Sequence, residues 1–319
     1  MSEATQPLDQ LGVASTIAAA LRTGILTELA RRRGTAADLA QQLGLDPRAV
    51  ALVLDVLAGQ DLATRDGDGF VAGPALARLA KQPGGFALTL GMWAHAETFV
   101  RSGEPFVKMD QTPSEREASY RSIVGGLAAL FDAPARELAA RLPVHPRTIL
   151  DVGCGSGVWS LAIAERLPEA RVTGLDLPAV LDNFTARAAE HGMASRIATL
   201  PGDMHAVELP AGAFDLVVIA NVLRLDVPER AASLVRRIAG AVAPGGVLLV
   251  IDALASGTPA RDQARALYAM HLGLRTREGR VHSPQTISRW LAEAGLPRIE
   301  PIDVAAGVGA IGGLLARRS

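Results

Sequence analysis

A glycine-rich segment, LDVGCGSG, carries the residues whose types and spacing most directly suggest ligand binding. It lies between two apolar runs, a context that predicts a strand, a tight turn and a helix. Gly153, Gly155 and Gly157 allow the backbone to approach a ligand closely. Asp151 stands two residues before the first glycine, where it would repel a pyrophosphate and attract an ammonium group. The turn therefore favours a ligand with a cationic end over a dinucleotide.

Polar residues also follow the next two predicted strands. Asp176 ends the segment GLD, where a carboxylate can accept both hydroxyl hydrogen bonds of a ribose, and Leu177 adds an apolar surface beside it. The run Gly202, Asp203 and Met204 offers a carboxylate for an exocyclic amine and a soft side chain for a flat ring, which suits adenine. Ammonium, ribose and adenine sites in this order predict S-adenosylmethionine (SAM) as the cofactor. The alternative for each residue taken by itself is a structural role, as a helix cap or a core side chain.

The segments around these residues alternate between strand and helix from Arg147 onward. Apolar strands between helices are expected when helices cover both faces of a parallel sheet; the strands include TILDVG, RVTGLDL, IATLPGD, FDLVVIANVL and GVLLVIDAL. Near the end of the chain, RIEPIDVA and GVGAIGGLLARR predict an antiparallel pair at the sheet edge. The predicted fold class is α/β, a doubly wound, Rossmann-like, mainly parallel sheet over residues 144–319. Ligands of such sheets bind beyond the carboxyl ends of the strands.

The first part of the chain predicts a smaller winged-helix domain over residues 1–83. Thr35 can cap a short helix that Gly44 ends, and Asp46 followed by Pro47 opens a second helix. The sequence DGDG at residues 66–69 fits the turn of a hairpin wing. Residues 84–143 then predict a helical linker that roofs the ligand pocket.

Charge argues against nucleic acid as a partner. The 319 residues carry a formal net charge of -1, and residues 35–80 hold three basic against six acidic side chains. An acidic winged helix repels phosphates, which disfavours a SAM-sensing DNA-binding regulator. The sequence shows neither an apolar run of membrane-spanning length nor a leader peptide, which predicts a cytoplasmic protein without a membrane partner. One cysteine and the spacing of the histidines suggest no disulfide and no metal site.

Five segments in fixed order, LDVGCGSG, GLDLP, PGDM, FDLVVIANVL and VAPGGVLLVID, give the chain a resemblance to bacterial small-molecule O-methyltransferases of the plant caffeate type. The winged-helix segment and GRVHSPQTISRWLAEAGL extend the resemblance over nearly the whole chain. It implies a SAM-dependent methyltransferase with the seven-stranded class I sheet, and a homodimer formed through the first domain. The implied acceptor is an aromatic or polyketide-like secondary metabolite. We also expect Asn221, at the end of the fourth strand, to contact the cofactor.

The chain departs from that family at the general base. A histidine usually follows the fourth strand, and Arg224 stands in its place; Val281 replaces a glutamate that usually orients the histidine, while Asp252 matches the other acidic partner. Arginine cannot remove a proton near neutral pH. Three alternatives stay open: methylation of an ionised phenol with Arg224 stabilising the oxyanion, methylation at nitrogen or carbon, and a non-methylating reaction such as decarboxylation, hydroxylation or a pericyclic step. A subunit that only dimerises is the alternative outside catalysis.

Other side chains are candidates for contacts with the acceptor. His271 is the first choice to replace the missing base, because histidine titrates near neutral pH. The candidates for the acceptor wall are Trp93, His95, Met270 and His282. Each of these residue types is more often a packing or surface residue than a ligand contact. His205 is assigned to such a surface or packing role.

Overall fold

The chain divides between Ala94 and His95 into two units in a computed structural model that describes residues 6–79, 91–108, 113–304 and 309–318. The sequence predicted boundaries after residues 83 and 143. In the structure, the described helices between His95 and Arg141 group with the second unit. The division into three parts therefore stays a prediction.

Helix caps set where the helices of the first unit begin. Thr35 Oγ1 accepts a hydrogen bond from Asp38 N (3.1 Å), and the Asp38 carboxylate accepts one from Thr35 N (3.1 Å), which forms a capping box. The Asp46 carboxylate caps the next helix by accepting from Ala49 N (2.7 Å). The elements are α1 (Gln6–Arg22), α2 (Ile25–Arg31), α3 (Ala36–Leu43), α4 (Pro47–Ala58), β1 (Ala63–Asp66), β2 (Gly69–Ala72) and α5 (Pro74–Leu79).

The predicted wing forms as a hairpin of β1 and β2, which pair antiparallel with Asp66 opposite Gly69. Together with α3 and α4 it confirms the predicted winged helix. The apolar faces of these elements share one core, which includes Leu26, Leu39, Leu54, Leu57 and Phe70. Burial of those side chains, rather than the short hairpin alone, stabilises the unit.

No single described helix is long and apolar enough to cross a membrane. The segments Leu8–Arg22 and Ile25–Arg31 reach the required length and apolar character only together, and they meet at a bend of 69°. Ile25, Leu26 and Leu29 in the second segment are buried in the core of the first unit. Packing within that unit accounts for their apolar character.

The second unit is built on a seven-stranded sheet in the order β5-β4-β3-β6-β7-β9-β8. Strands β3 to β7 pair in parallel, and β9 runs antiparallel to both β7 and β8. The elements are α6 (Ala96–Ser102), α7 (Pro113–Arg141), β3 (Thr148–Val152), α8 (Val158–Glu165), β4 (Arg171–Asp176), α9 (Pro178–Glu190), β5 (Ile197–Pro201), β6 (Phe214–Ala220), α10 (Pro228–Ala239), β7 (Val242–Asp252), α11 (Pro259–Gly273), α12 (Pro284–Glu293), β8 (Arg298–Ile302) and β9 (Gly312–Arg317). The predicted doubly wound, mainly parallel sheet is confirmed, and the last strand enters between β7 and β8.

Helices cover both faces of this sheet, which explains why its strands are apolar throughout. Successive side chains of a strand point to opposite faces. Ile149 of β3 accordingly packs with Leu138 of α7 and Phe184 of α9, whereas Leu150 packs in the opposite core with Trp290 of α12. The sheet is therefore a rigid platform whose strand ends have fixed relative positions.

Gly157, the N-cap of α8, has a φ of +70° and lies against the ring of Phe184. A Cβ atom added there would stand 2.5 Å from Phe184 Cδ2. Gly192 has a similar φ of +68°, but an added Cβ would meet nothing within 4 Å. The two positions share the left-handed backbone and differ in the space around it.

We expect Gly157→Ala to lower the free energy of unfolding by about 3 kcal/mol, the sum of left-handed strain and forced repacking of Phe184. Gly192→Ala is the matched control and should cost about 1 kcal/mol, because only the strain applies. Urea denaturation of the two variants measures the difference. Equal losses would show that the contact with Phe184 is unimportant.

Candidate functional site

The carboxyl ends of β3, β4, β5 and β6 open on one cavity of about 350 Å³. Its described wall contains nine of the ten residues predicted to bind the cofactor, namely Asp151, Gly153, Gly155, Asp176, Leu177, Gly202, Asp203, Met204 and Asn221. The tenth, Gly157, begins α8 behind the turn. The opposite wall comes from α7, which contributes Tyr120, Val124, Ala128 and Phe131 and so agrees with the predicted roof.

Asp151 ends β3 almost completely buried, with 2% of its surface exposed. Its Oδ2 accepts a hydrogen bond from Ser160 Oγ (2.5 Å) in α8. Burial raises the pKa of Asp151 to about 7, and the neighbouring charge of Asp176 acts in the same direction, while the Ser160 hydrogen bond opposes both. A cation entering the cavity would therefore favour the ionised form of a carboxyl group that is poised near neutrality.

The glycine turn can pack closely against its neighbours at Gly153 because this residue has no side chain. Gly153 has a φ of +66°, and a Cβ atom added to it would stand 2.6 Å from Val222 Cγ2. The turn is therefore packed directly against the loop that follows β6. A larger residue at this position would separate the two strand ends that form the middle of the cavity.

Asp176 bridges the glycine turn and the start of α9. Its Oδ2 accepts from Gly155 N (2.8 Å) and its Oδ1 accepts from Leu177 N (2.8 Å). Burial raises the pKa of Asp176, although both backbone hydrogen bonds favour the ionised form. Each carboxylate oxygen keeps a lone pair for a ligand hydroxyl, which fits the predicted ribose contact.

The turn after β5 places Gly202, Asp203 and Met204 on the cavity wall. One Asp203 oxygen accepts from His205 N (2.9 Å), which fixes the carboxylate at the turn. Met204 also packs against the core beneath the sheet. The structural and ligand-binding interpretations of Met204 are thus compatible, since one side of the residue is in the core and another faces the cavity.

Arg224 lies beneath the cavity wall instead of in it. Its Nη1 forms an ion pair with Asp252 Oδ1 (3.0 Å), and its guanidinium carbon lies 5.0 Å from the centre of the Tyr268 ring. Arg224 is 6% exposed, and both Arg224 and Asp252 are outside the described lining of the cavity. The interpretation of Arg224 as an oxyanion-stabilising contact therefore needs correction, because its charge is already paired with a buried carboxylate.

The candidate histidines are also outside the described lining. Burial, and secondarily the charge of Arg275, lower the pKa of His271 to about 4, which leaves a weak base at neutral pH. His282 Nε2 lies 3.0 Å from Leu223 O, so this nitrogen must carry a proton and donate it. His95 Nε2 lies 3.0 Å from Glu104 O. None of the three has the geometry of a general base at the cavity.

The two apolar candidates are likewise not on the described wall. Trp93 belongs to the first unit and is 38% exposed. Met270 lies on α11, outside the described lining. The spacing of apolar residues along the sequence did not show that residues of α7, and not Trp93 and Met270, line the cavity.

His205 is the residue that sequence reasoning placed incorrectly. It lines the cavity, and its Nε2 lies 3.0 Å from Asp226 Oδ2, while Arg230 Nε lies 3.2 Å from Asp226 Oδ1. His205 directly follows Met204, which could have suggested this position. Its partner Asp226 comes from the loop after β6, and only the folded chain brings the two together.

Across the described residues, no cluster of three or more His, Cys, Asp or Glu side chains could hold a metal ion.

The family model for the O-methyltransferase domain matches residues 137–297. Acetylserotonin O-methyltransferase of Mus musculus molossinus is 28% identical over 298 residues, which cover 83% of this chain and 75% of that protein. The 3-hydroxy-5-methyl-1-naphthoate 3-O-methyltransferase of Streptomyces sahachiroi is 27% identical over 302 residues, with 90% and 87% covered. The crystal structure of human N-acetylserotonin methyltransferase in complex with SAM has a TM-score of 0.72 at 19% identity and covers 100% of this chain and 99% of that one. At this identity the last comparison bears on the fold alone.

We expect the stability of the ligand-free protein to depend on pH through Asp151. Its folded pKa of about 7 exceeds the ordinary value of 3.8, so its stabilising contribution is complete below pH 3.8 and is lost as pH rises through 7. The unfolding free energy of the wild type relative to Asp151→Asn should fall by about 4 kcal/mol over that window. Urea denaturation at a series of pH values measures it. Ser160→Ala should move the loss to higher pH, and a difference independent of pH would contradict the assignment.

Proposed function

This chain belongs to the O-methyltransferase domain family, and we propose that it transfers a methyl group from SAM to a hydroxyl group, or to nitrogen or carbon, of a small aromatic or polyketide-like molecule. The observation that carries the proposal is the order of the carboxylates along one cavity. Asp151, Asp176 and Asp203 stand at three successive strand ends, next to the glycine turn. The chain is a methyltransferase that uses SAM as its cofactor, and the acceptor is the part that is proposed.

The cavity fits SAM by charge and by shape. A wall with five carboxylate residues, Asp151, Asp176 and Asp203 among them, favours a ligand with positive groups. Asp151 would face the ammonium group, Asp176 the ribose hydroxyls, and Asp203 with Met204 the adenine. Gly153 keeps the turn packed against Val222, because a Cβ atom there would collide with that side chain. A dinucleotide fits less well, because its pyrophosphate would meet the Asp151 carboxylate.

When bound, SAM supplies an electrophilic methyl group on a sulfonium sulfur. The residues of the chain bind and orient the two reactants and exclude water from between them. Apolar side chains of α7, including Val124, Ala128 and Phe131, form the wall opposite the strand ends. A dry wall of this kind preserves the attraction between the reacting nucleophile and a cationic donor.

The acceptor has to provide its own nucleophile. Arg224 occupies the position of the usual base, is paired with Asp252 and cannot take a proton. We therefore favour an acceptor that is ionised near neutral pH, such as an acidic phenol, or one that reacts through nitrogen or carbon. The Streptomyces sahachiroi relative, named for a hydroxynaphthoate, and an L-tyrosine C(3)-methyltransferase of Streptomyces lavendulae, 30% identical over 148 residues, illustrate the two types.

The Arg224–Asp252 pair also favours one second candidate. A SAM-binding site without the usual base is compatible with decarboxylation, hydroxylation or a pericyclic reaction in which the methyl group is kept. The distinguishing measurement is the fate of the methyl group. Verified turnover without release of S-adenosylhomocysteine would favour this candidate over methyl transfer.

We further propose that the first unit forms a homodimer. Leu8 and Leu11 on α1 and Leu52 on α4 are exposed by 68%, 62% and 59%, which is costly for a monomer in water. Sedimentation velocity at micromolar concentration should show a dimer. Replacing Leu8 and Leu11 together by Glu should shift the protein toward monomer without changing the fold of the second unit, and an unchanged sedimentation coefficient would contradict the proposed interface.

We expect Asp176→Asn to weaken the binding of S-adenosylhomocysteine by at least about tenfold. An amide at this position can no longer accept from both Gly155 N and Leu177 N, so the site loses its preorganisation as well as a ribose acceptor. Isothermal titration calorimetry measures the affinity. Asp182→Asn on the exposed side of α9 is the matched control and should bind as the wild type does. Labelled SAM with a panel of hydroxynaphthoates and acidic phenols then tests the transfer itself.

A further inference from the structure

The loop after β6 links a buried arginine to a residue on the cavity wall. Arg224 Nη1 donates a hydrogen bond to Asn221 Oδ1 at 2.5 Å. We propose that Arg224 is a positioning residue, which orients the Asn221 amide so that its Nδ2 faces the cavity as a donor for the carboxylate of the cofactor's amino-acid end. This inference rests on the proposed function, because it requires SAM in the cavity.

The orientation of the amide follows from donor chemistry. An arginine side chain carries donors only, so the amide atom that faces it must be the oxygen. The Asn221 Nδ2 atom is thereby directed away from Arg224, and Asn221 lies on the cavity wall. Within the described part of the chain, this nitrogen has no hydrogen-bond partner. It is a polar donor that remains available for a ligand.

Arg224 is itself held in place from several sides. The Asp252 carboxylate accepts from its Nη1 (3.0 Å) and also from its backbone N (3.3 Å). The Tyr268 ring covers the guanidinium, and the Arg224 carbonyl accepts from Arg280 N (2.8 Å). A buried, ion-paired guanidinium has little rotational freedom. It can therefore define one orientation of a neighbouring amide.

The backbone conformation of Asn221 also supports a role in binding the cofactor. Its φ is +63°, a conformation that Asn tolerates better than most residues. Asn221 N also donates to Ile251 O (2.7 Å) of β7, which fixes the residue at the sheet. The next residue, Val222, packs against Gly153, so the amide stands beside the glycine turn. Asp151 would then face the ammonium and Asn221 the carboxylate of one zwitterionic group.

This arrangement gives the arginine a role that a histidine base would not have. A base at this position would have to reach the acceptor, whereas Arg224 acts through Asn221 on the cofactor. The expected effect of changing Arg224 is thus on cofactor affinity, and specifically on recognition of the amino-acid end. Loss of general stability would instead affect every ligand of the cavity equally.

Two ligands separate these effects. S-adenosylhomocysteine contains the amino-acid end, and 5′-methylthioadenosine lacks it while keeping the ribose and adenine. Calorimetric titration of both ligands is carried out on the wild type, N221D, N221G, R224M, which lacks the donor, and the double variant N221G/R224M. N221D preserves the oxygen that faces Arg224 and replaces the donor by an acceptor, and N221G keeps the left-handed backbone without strain.

We expect N221D, N221G and R224M each to weaken the binding of S-adenosylhomocysteine by about 10- to 100-fold, the range for a hydrogen bond to a charged group. Each should change 5′-methylthioadenosine by less than about twofold. The double variant should bind no more weakly than N221G, because Arg224 acts through the amide that N221G removes. If R224M does not fold, R224M in a D252N background removes both buried charges and replaces it in the same comparison.

The proposal is overturned if R224M binds S-adenosylhomocysteine as the wild type does, if both ligands weaken equally, or if the two substitutions are additive. N221D with wild-type affinity would overturn it as well. A wild type that binds neither ligand would instead overturn the proposed function, and with it the premise of this inference. The behaviour of the wild type therefore distinguishes the two failures.

Discussion

Parallel pairing of β3 with β4 and β6 is the constraint on which the rest of the site depends. Asp151 lies opposite Gly174 in one neighbour and Val218 in the other, so the three strands end at the same level. A polar residue at or next to the end of each strand lines the same cavity. A shift of register by a single residue would turn Asp151 to the other face of the sheet. The ligand chemistry is therefore a consequence of backbone pairing between buried, apolar strands.

The chemistry of the cavity also depends on which hydrogen-bond donors its carboxylates have. Asp176 accepts from two backbone N–H groups, which partly oppose the rise of its pKa through burial, whereas Asp151 has one hydroxyl donor and a pKa near neutrality. Under the proposed function, Asp176 would accept hydrogen bonds from the ribose hydroxyl groups and Asp151 would face the ammonium group. This difference in environment, and not a difference in residue type, distinguishes the two positions.

The loop after β6 carries an arginine whose charge is paired with a buried carboxylate. A histidine there would be a proton acceptor, but Arg224 pairs with Asp252 and leaves the cavity wall. Methyl transfer can still proceed without a general base from the protein, because positioning of the reactants and exclusion of water supply much of the rate. Under the proposed function, the acceptors are instead molecules that bring their own nucleophile.

Local patterns along the chain were sufficient to predict the helices and strands and the carboxylates at the strand ends. Apolar strands, the glycine turn and the caps at Thr35 and Asp46 are properties of neighbouring residues, and the positions of Asp151, Asp176 and Asp203 at strand ends follow from them. The insertion of β9 between β7 and β8 does not follow, because pairing between distant strands depends on the whole sheet.

The sequence by itself determined the fold class and the cofactor, since each depends on residue type and local spacing. Only the tertiary structure decided which side chains share the cavity. In the folded chain, His205 contacts Asp226 and side chains of α7 line the same cavity as the strand ends. Arg224 pairs with Asp252 and is outside the described lining. The physical reason is that these contacts join segments distant in the chain, and burial fixes them through packing that no local pattern encodes.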